Sequence, residues 1–231
     1  LERLGEILLG RRERALELRV EARVRDVRVH KEAHVRLELR RRELLGRRRA
    51  LALRACTQAA AAARGSCTTF DLARAIDFAI GAGSADVINL SLGGPRDALI
   101  ERMIAEAMAR GVVVVAAEGE GRSTFPAEME GVIAVSAEES KSTLQSLGAP
   151  GIDVLSLAPP DGYDYFSGSS MAAAQVSGVV ALLLEHSPKQ SGAEIRGLLA
   201  RTAKRAGAQG ESRPAVDACA ALAALRAEVR C

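Results

Sequence analysis

Phe166-Ser-Gly-Ser-Ser-Met-Ala-Ala-Ala-Gln-Val-Ser-Gly-Val-Val-Ala-Leu-Leu-Leu-Glu185 is the stretch that decides the fold of this 231-residue chain. It begins as a polar loop marked by a glycine and continues without a charged residue as far as Glu185. A helix that is apolar on all sides is expected to pass through the middle of a domain rather than along its surface. Ala172, Ala173, Ala174 and Gly178 are small enough to let neighbouring backbones approach it closely.

Ser170 lies where this loop meets the helix. A hydroxyl on the first turn is at the positive end of the helix dipole, beside backbone N–H groups that can hold a developing oxyanion. The position therefore predicts a nucleophile. The alternative is that Ser169 and Ser170 only cap the helix, as serines often do.

The segment Gly168-Ser-Ser-Met-Ala-Ala resembles the nucleophile motif of the subtilisin-like serine proteases, with Ser170 in the nucleophile's place. Residues 85–95, 111–117 and 125–135 resemble further blocks of that family in the same order. Ala158-Pro159 resembles the family's Ala-Pro-Gly, with Pro160 in the place of the glycine. The resemblance implies an enzyme that hydrolyses peptide bonds without a cofactor.

Apolar runs predict the rest of the fold. Residues 87–92 and 112–117 are almost wholly apolar, which is typical of strands buried on both faces of a parallel sheet. A helix predicted at 96–110 between them indicates a doubly wound, mainly parallel α/β sheet flanked by helices. Further strands are expected at 132–136 and 153–157, and helices near 195–199 and 216–225. Thr69 is the expected N-cap of a helix that ends at Gly81.

The resemblance also implies a substrate cleft. In the family, the backbone that corresponds to residues 91–94 forms one wall and pairs with an extended polypeptide, which is held by main-chain bonds. The expected partner is therefore an extended polypeptide substrate or ligand. The implied contacts are Ser91, Leu92, Gly93, Gly94, Ala117 and Gly119.

The resembled family has a catalytic aspartate and a catalytic histidine beside the serine, and the segments that carry these two residues are missing from this sequence. The family's Asp-Thr/Ser-Gly and His-Gly-Thr-His segments do not occur in this sequence. His30 and His34 stand in His-Lys-Glu-Ala-His, without the glycine, and Asp26 precedes Val-Arg. His186 is sixteen residues from Ser170 on the same predicted helix, a rise of about 24 Å at ~1.5 Å per residue. It is too far away to act as the base.

Glu120 occupies the place of the asparagine that donates to the oxyanion in the resembled family. An ionised carboxylate repels an oxyanion, so this residue predicts a loss of turnover. The alternative is a rearranged loop in which Glu118 and Glu120 point to solvent.

Together, the missing triad segments and Glu120 predict a family member that is inactive or truncated as given. A non-catalytic, peptide-binding pseudoprotease is the alternative.

Residues 1–49 form a basic segment without family motifs, and residues 50–231 form the subtilisin-like domain. Residues 1–54 hold 17 Lys/Arg against 9 Asp/Glu. Apolar residues alternate with charged ones from Leu16 onward, which favours a β-hairpin, although repulsion among the arginines favours an unfolded segment. Nucleic-acid binding is not expected, because this segment has no aromatic residue for stacking and no recognisable module.

The cysteines leave two alternatives open. Cys56 and Cys67 bracket a loop and could form a disulfide or remain reduced, and the pairing with Cys219 and Cys231 cannot be deduced.

No apolar run reaches the ~18–20 residues of a membrane span, and no signal peptide is recognised. The resemblance implies a secreted or periplasmic location, with a cytoplasmic one left open. No metal is expected, because no acidic cluster has calcium-ligand spacing and His30 and His34 are better explained as solvated side chains. The oligomeric state is not predicted.

Overall fold

A computed structural model describes residues 52–57, 66–81, 85–119, 124–138, 145–158, 162–205, 214–226 and 228–230. The basic segment 1–49, with its predicted hairpin and with His30 and His34, lies outside the described residues, and so does the predicted domain boundary. Within the described part, no helix combines the length and the apolar character that a membrane crossing requires.

A six-stranded sheet forms the centre of the molecule. Its strands are β3 (Val87–Leu90), β4 (Val113–Ala117), β5 (Ile133–Ala137), β6 (Leu147–Ala149), β9 (Lys204–Arg205) and β10 (Pro214–Ala215). Their order is β3-β4-β5-β6-β10-β9, with every neighbouring pair parallel except β10 and β9. Every residue of β3 and β4 is buried, as expected for continuous apolar runs covered on both faces.

Helices cover both faces of this sheet, which confirms the predicted fold class. On one face, α1 (Thr69–Ile80) and α2 (Ala98–Ala109) pack against Ile88 and Val114. On the other face, α3 (Ser169–His186), α4 (Gly192–Thr202) and α5 (Ala218–Leu225) pack against Val87 and Val115. The alternation of side chains along each strand separates the two cores.

The first helix begins one residue earlier than predicted. Its N-cap is Thr68, whose Oγ1 accepts a hydrogen bond from the Asp71 backbone N–H at 3.1 Å. Thr69, the predicted cap, instead donates from its Oγ1 to Asp97 Oδ2 at 2.6 Å. Asp97 is the N-cap of α2, so Thr69 connects the starts of the two helices.

A separate antiparallel hairpin leads to the nucleophile loop. The strand predicted at 153–157 exists as β7 (Val154–Ala158), but it pairs with β8 (Gly162–Phe166) and not with the main sheet. Leu155 lies opposite Tyr165 and Leu157 opposite Tyr163, and all four side chains are exposed. Ala158 is the last residue of β7, and Pro159 lies outside the described residues, so the match at Ala158-Pro159 stays a prediction.

A short antiparallel ladder contains one of the disulfides. Strands β1 (Cys56–Thr57) and β2 (Ser66–Cys67) pair with Cys56 directly opposite Cys67. The two sulfur atoms are bonded, across a Cα–Cα distance of 4.1 Å. Of the two alternatives left open by the sequence, the structure therefore has the disulfide. Cys219 is disulfide-bonded as well.

Candidate active site

The nucleophile loop is held against the end of β6. Gly168 is the N-cap of α3 with φ 140°, a conformation that side chains rarely adopt, and its N–H donates to the Gly151 carbonyl at 2.7 Å. A Cβ at Gly151 would lie 2.6 Å from Ala137 Cβ and 3.1 Å from the Gly168 carbonyl oxygen. Only glycine at position 151 therefore lets the loop approach the sheet this closely.

Ser170 lies in the first turn of α3, as predicted. No side chain caps this helix, so the alternative of Ser169 and Ser170 as a capping pair is wrong. The Ser170 Oγ donates to the Ser91 carbonyl at 3.5 Å, and the Ser91 Oγ donates to the Ser170 carbonyl at 3.1 Å. This reciprocal pair joins the tip of the helix to the residue that follows β3.

The nucleophile helix packs on the sheet by one side only. Ala172 and Ala173 are fully buried against the strands, as their small size allows. Gly178 is exposed and has open space where a Cβ would lie, so the predicted close approach at that position is wrong. Gln175 is also exposed, and its Nε2 donates to the Pro150 carbonyl at 2.7 Å. The other side of the helix therefore reaches the surface.

Three buried polar residues, Asn89, Ser91 and Ser177, form what we call the neutral cluster. The Ser177 Oγ donates to Asn89 Oδ1 at 3.0 Å, and Asn89 Nδ2 donates to the Ser91 Oγ at 2.9 Å. The chain of bonds continues to the Ser170 carbonyl and so connects β3 to two turns of α3. Sequence reasoning missed this cluster, although a polar residue inside an otherwise apolar strand was a visible signal.

A second buried group, the acidic cluster, consists of Glu118, Ser136 and Ser146. Glu118 is 7 % exposed and its Oε2 accepts from the Ser146 Oγ at 2.8 Å, while Ser146 lies 3.2 Å from the Ser136 Oγ. The Glu118 N–H donates to the Val135 carbonyl at 2.7 Å, which continues the pairing of β4 with β5. Because the side chain is buried and accepts a hydrogen bond from Ser146, the predicted exposure of Glu118 to solvent is wrong. Glu120 lies outside the described residues, and its oxyanion position stays a prediction.

A cavity of about 460 Å³ opens beside Ser170, at the carboxyl ends of β3 and β4. The Cys56–Cys67 disulfide and Glu118 also border it. Phe125 closes part of its wall by accepting from the Gly94 N–H at 3.1 Å. The structure brings the predicted nucleophile and the predicted wall together around this cavity: Ser91, Leu92, Gly93, Gly94, Ala117, Gly119 and Ser170.

The residues that the structure describes supply no imidazole near Ser170. His186 is the only histidine among the described residues, and it is exposed at the last residue of α3. It lies at the opposite end of the helix from Ser170, as the sequence predicts.

The comparison with known families agrees with this geometry. The model of the subtilase family matches residues 56–216, a range that contains the nucleophile helix and both walls of the cavity. The chain belongs to the subtilase family. This subtilase is 37 % identical over 139 residues to subtilisin DY of Bacillus licheniformis, covering 53 % of this chain and 51 % of that protein. It is 34 % identical to subtilisin Savinase of Lederbergia lenta, covering 63 % and 58 %. The chain thus spans only about half the length of these curated relatives.

Solved structures show the same fold. Fervidolysin from Fervidobacterium pennivorans, a keratinolytic enzyme related to subtilisin, superposes with a TM-score of 0.60 at 31 % identity. The match covers 66 % of this subtilase and 28 % of fervidolysin. The prenylagaramide maturation protease PagA gives a TM-score of 0.61 at 28 % identity, covering 71 % and 69 %.

Proposed function

We propose that this subtilase binds an extended polypeptide in the cavity beside Ser170 and that Ser170 is the nucleophile of serine-type peptide-bond hydrolysis. The observation that carries the proposal is that Ser170 and all six predicted wall residues border the same cavity. Among the described residues, β3 is an edge strand of the main sheet. The proposal is that the backbone that follows it, at residues 91–94, adds a polypeptide by main-chain bonds, with the Gly94 N–H already bonded to the Phe125 carbonyl.

The reaction requires groups besides the hydroxyl. Ser170 Oγ attacks the carbonyl carbon of the substrate while a base takes its proton, and the tetrahedral oxyanion forms beside the backbone N–H groups of the first turn of α3. The C–N bond then breaks, the leaving amine takes the proton, and water hydrolyses the resulting ester. Within the described residues, the Ser170 hydroxyl donates to the Ser91 carbonyl, which is not a base that can accept its proton.

A second candidate function is polypeptide binding without hydrolysis. It is favoured by the position of His186, the only histidine in the described part of the chain, at the far end of α3. The sequence adds a second argument, since Glu120 stands where the resembled enzymes have a neutral amide donor. Without a base, a serine hydroxyl is a poor nucleophile.

We also propose a secreted or periplasmic location. The Cys56–Cys67 disulfide supports it, because such bonds persist in oxidising compartments and are rare in the cytosol.

Reaction of the full chain with a fluorophosphonate probe tests the role of Ser170. If Ser170 is activated, we expect one labelled peptide that contains this residue, no labelling of Ser170→Ala and unchanged labelling of the neighbouring Ser169→Ala variant. No labelling above the Ser170→Ala variant would reject hydrolysis by this chain and leave the binding candidate. Fluorescence anisotropy of labelled unfolded polypeptides tests that candidate, and absence of binding would reject the cleft itself.

A further inference from the structure

We infer that Asn89 and the hydroxyl of Ser91 are positioning residues for Ser170, and that they fix the main chain of the proposed nucleophile against the wall of the cavity. The inference rests on the proposed function, since it assigns a task to side chains behind the same cleft. Asn89 is fully buried in β3 and does not border the cavity. It therefore acts on Ser170 only through the residues that it contacts.

Asn89 is the polar residue of β3, a strand whose four residues are all buried. A buried carboxamide lowers stability unless its polar groups are paired, whereas an apolar side chain needs no partner. The Asn89 Nδ2 donates to the Ser91 Oγ at 2.9 Å. A polar side chain at this place in the core thus indicates a task in orientation and not only in packing.

The direction of these bonds follows from the Ser170 carbonyl. A carbonyl oxygen only accepts, so its 3.1 Å bond with the Ser91 Oγ uses the single hydroxyl hydrogen of Ser91. That hydrogen is then not available to Asn89, and the group of Asn89 that faces Ser91 has to be the donating Nδ2. Asn89 thus directs the Ser91 hydroxyl toward the main chain of Ser170.

A second bond joins residues 91 and 170. The Ser170 Oγ donates to the Ser91 carbonyl at 3.5 Å. Ser91 is only 8 % exposed, so its bonds lie in a poorly solvated environment where they are stronger than in water. The main chain of Ser170 carries both the hydroxyl and the first-turn N–H groups, and a displacement of about 1 Å costs roughly 10²-fold in rate. The pair therefore fixes the nucleophile relative to the wall.

Ser177 extends the chain of bonds from the helix side. Its Oγ donates to Asn89 Oδ1 at 3.0 Å, but the same oxygen lies 2.8 Å from the Ala173 carbonyl. One hydroxyl hydrogen is thus shared by two acceptors. We expect a smaller contribution from Ser177 than from the Ser91 hydroxyl for this reason.

The rate of fluorophosphonate labelling, measured on the full chain at several probe concentrations, tests this inference. The limiting rate at high probe concentration reports the reaction of Ser170, and the concentration that gives half of this rate reports binding of the probe. Ser91→Ala keeps the carbonyl and removes only the hydroxyl. We expect its limiting rate to fall about tenfold and its half-maximal concentration to stay within about twofold.

Asn89→Ala should lower the limiting rate by a similar factor, and the double variant with Ser91→Ala decides whether Asn89 acts through Ser91. If it does, the double variant should react at most about twofold more slowly than Ser91→Ala alone. If Asn89→Ala does not fold, Ser177→Ala replaces it in this comparison. Its own effect, of about threefold, should disappear in the Ser91→Ala background.

Ser136→Ala is the matched control. The Ser136 side chain is also fully buried, but it lies on the other face of the sheet from α3 and does not border the cavity. The variant loses a buried hydroxyl and should keep the limiting rate of the wild type. A loss of rate in this variant equal to that in Ser91→Ala would show that any buried serine matters, and would overturn the positioning role.

The remaining outcomes separate this inference from the proposed function. If the wild type is labelled at Ser170 and Ser91→Ala reacts as fast, the positioning role is wrong and the nucleophile stands. An effect confined to the half-maximal concentration would also overturn positioning, since it would place the effect in probe binding. Multiplied effects in the double variant would overturn the route through Ser91. If the wild type is not labelled, hydrolysis by Ser170 is wrong and the positioning role falls with it.

Discussion

The neutral cluster and the acidic cluster occupy opposite faces of one sheet, on either side of β4. Asn89 shares the strand face of Val87, which packs toward α3, whereas Glu118 continues the alternation of Val114 and Ala116 on the face of α1 and α2. The neutral cluster bonds a strand to the nucleophile helix. The acidic cluster bonds the ends of neighbouring strands to one another. Buried polar groups of similar size thus have different partners, since the neutral cluster joins a strand to the helix that carries Ser170 and the acidic cluster joins the ends of strands.

Among the variants that test this comparison, Asn89→Ala should lower the free energy of unfolding the most. It removes a fully buried side chain and deprives the Ser91 and Ser177 hydroxyls of a shared partner. We expect the free energy of unfolding to fall by about 3 kcal/mol, from the lost bonds and the new cavity together. Urea denaturation followed by circular dichroism measures it. A loss below about 1 kcal/mol would show that the neutral cluster does not hold the helix to the strand.

Ser146→Ala tests the acidic cluster in the same assay. The variant removes the hydroxyl that donates to the buried Glu118 carboxylate. Hydrogen bonds to charged groups contribute more than neutral ones, so we expect a loss of about 2 kcal/mol. Ser66→Ala, at an exposed serine, is the control and should change stability by less than about 0.5 kcal/mol. Equal values for the two variants would mean that Ser146 does not stabilise the charge.

Ser177→Ala should have a smaller effect, of about 1 kcal/mol, because it removes one neutral hydroxyl that also lies 2.8 Å from the Ala173 carbonyl. The double variant with Asn89→Ala measures the coupling of the two residues. We expect the two losses to fall short of additivity by at least about 0.5 kcal/mol, since both remove the same bond. Strict additivity would show that the bond between β3 and α3 contributes nothing.

Acid should destabilise the fold through Asp217 and Glu194 by less than the three variants above destabilise it. The Lys204 hydrogen bond lowers the pKa of Asp217, and the Ser191 backbone N–H lowers that of Glu194. A lowered pKa means that the stabilisation is complete above the ordinary value of about 4 and is lost as the pH falls through the folded-state value. We expect Tm to decrease below about pH 4, and Asp217→Asn to show a smaller decrease. An equal decrease of Tm in the wild type and in Asp217→Asn would exclude Asp217 as a source of the acid sensitivity.

Strands β3, β4 and β5 of the main sheet were predictable because they are almost wholly apolar runs, whereas β6, β9 and β10 were not predicted because they have only two or three residues each. The hairpin was not, because Leu155 and Leu157 have the composition of a buried strand and yet remain exposed. Only the pairing partner, β8, decides that outcome. Ser170 could be predicted from a local motif, whereas the burial of Glu118 depends on its pairing with β5 and on Ser146, which is far from it in sequence. Thr68 and Thr69 are adjacent and chemically identical, so the contact with Asp97 that separates their roles cannot be found from local sequence.

Gly151 limits which sequences this site can tolerate. Any side chain there meets Ala137 on one side and the carbonyl of Gly168 on the other. A library of all amino acids at position 151 should therefore yield almost only glycine among folded clones, whereas one at the open Gly178 should yield nearly every residue that a helix accepts. The least variable position around the nucleophile loop would then be one with no side chain and no chemistry, and an engineer who varies the cleft has to leave it untouched.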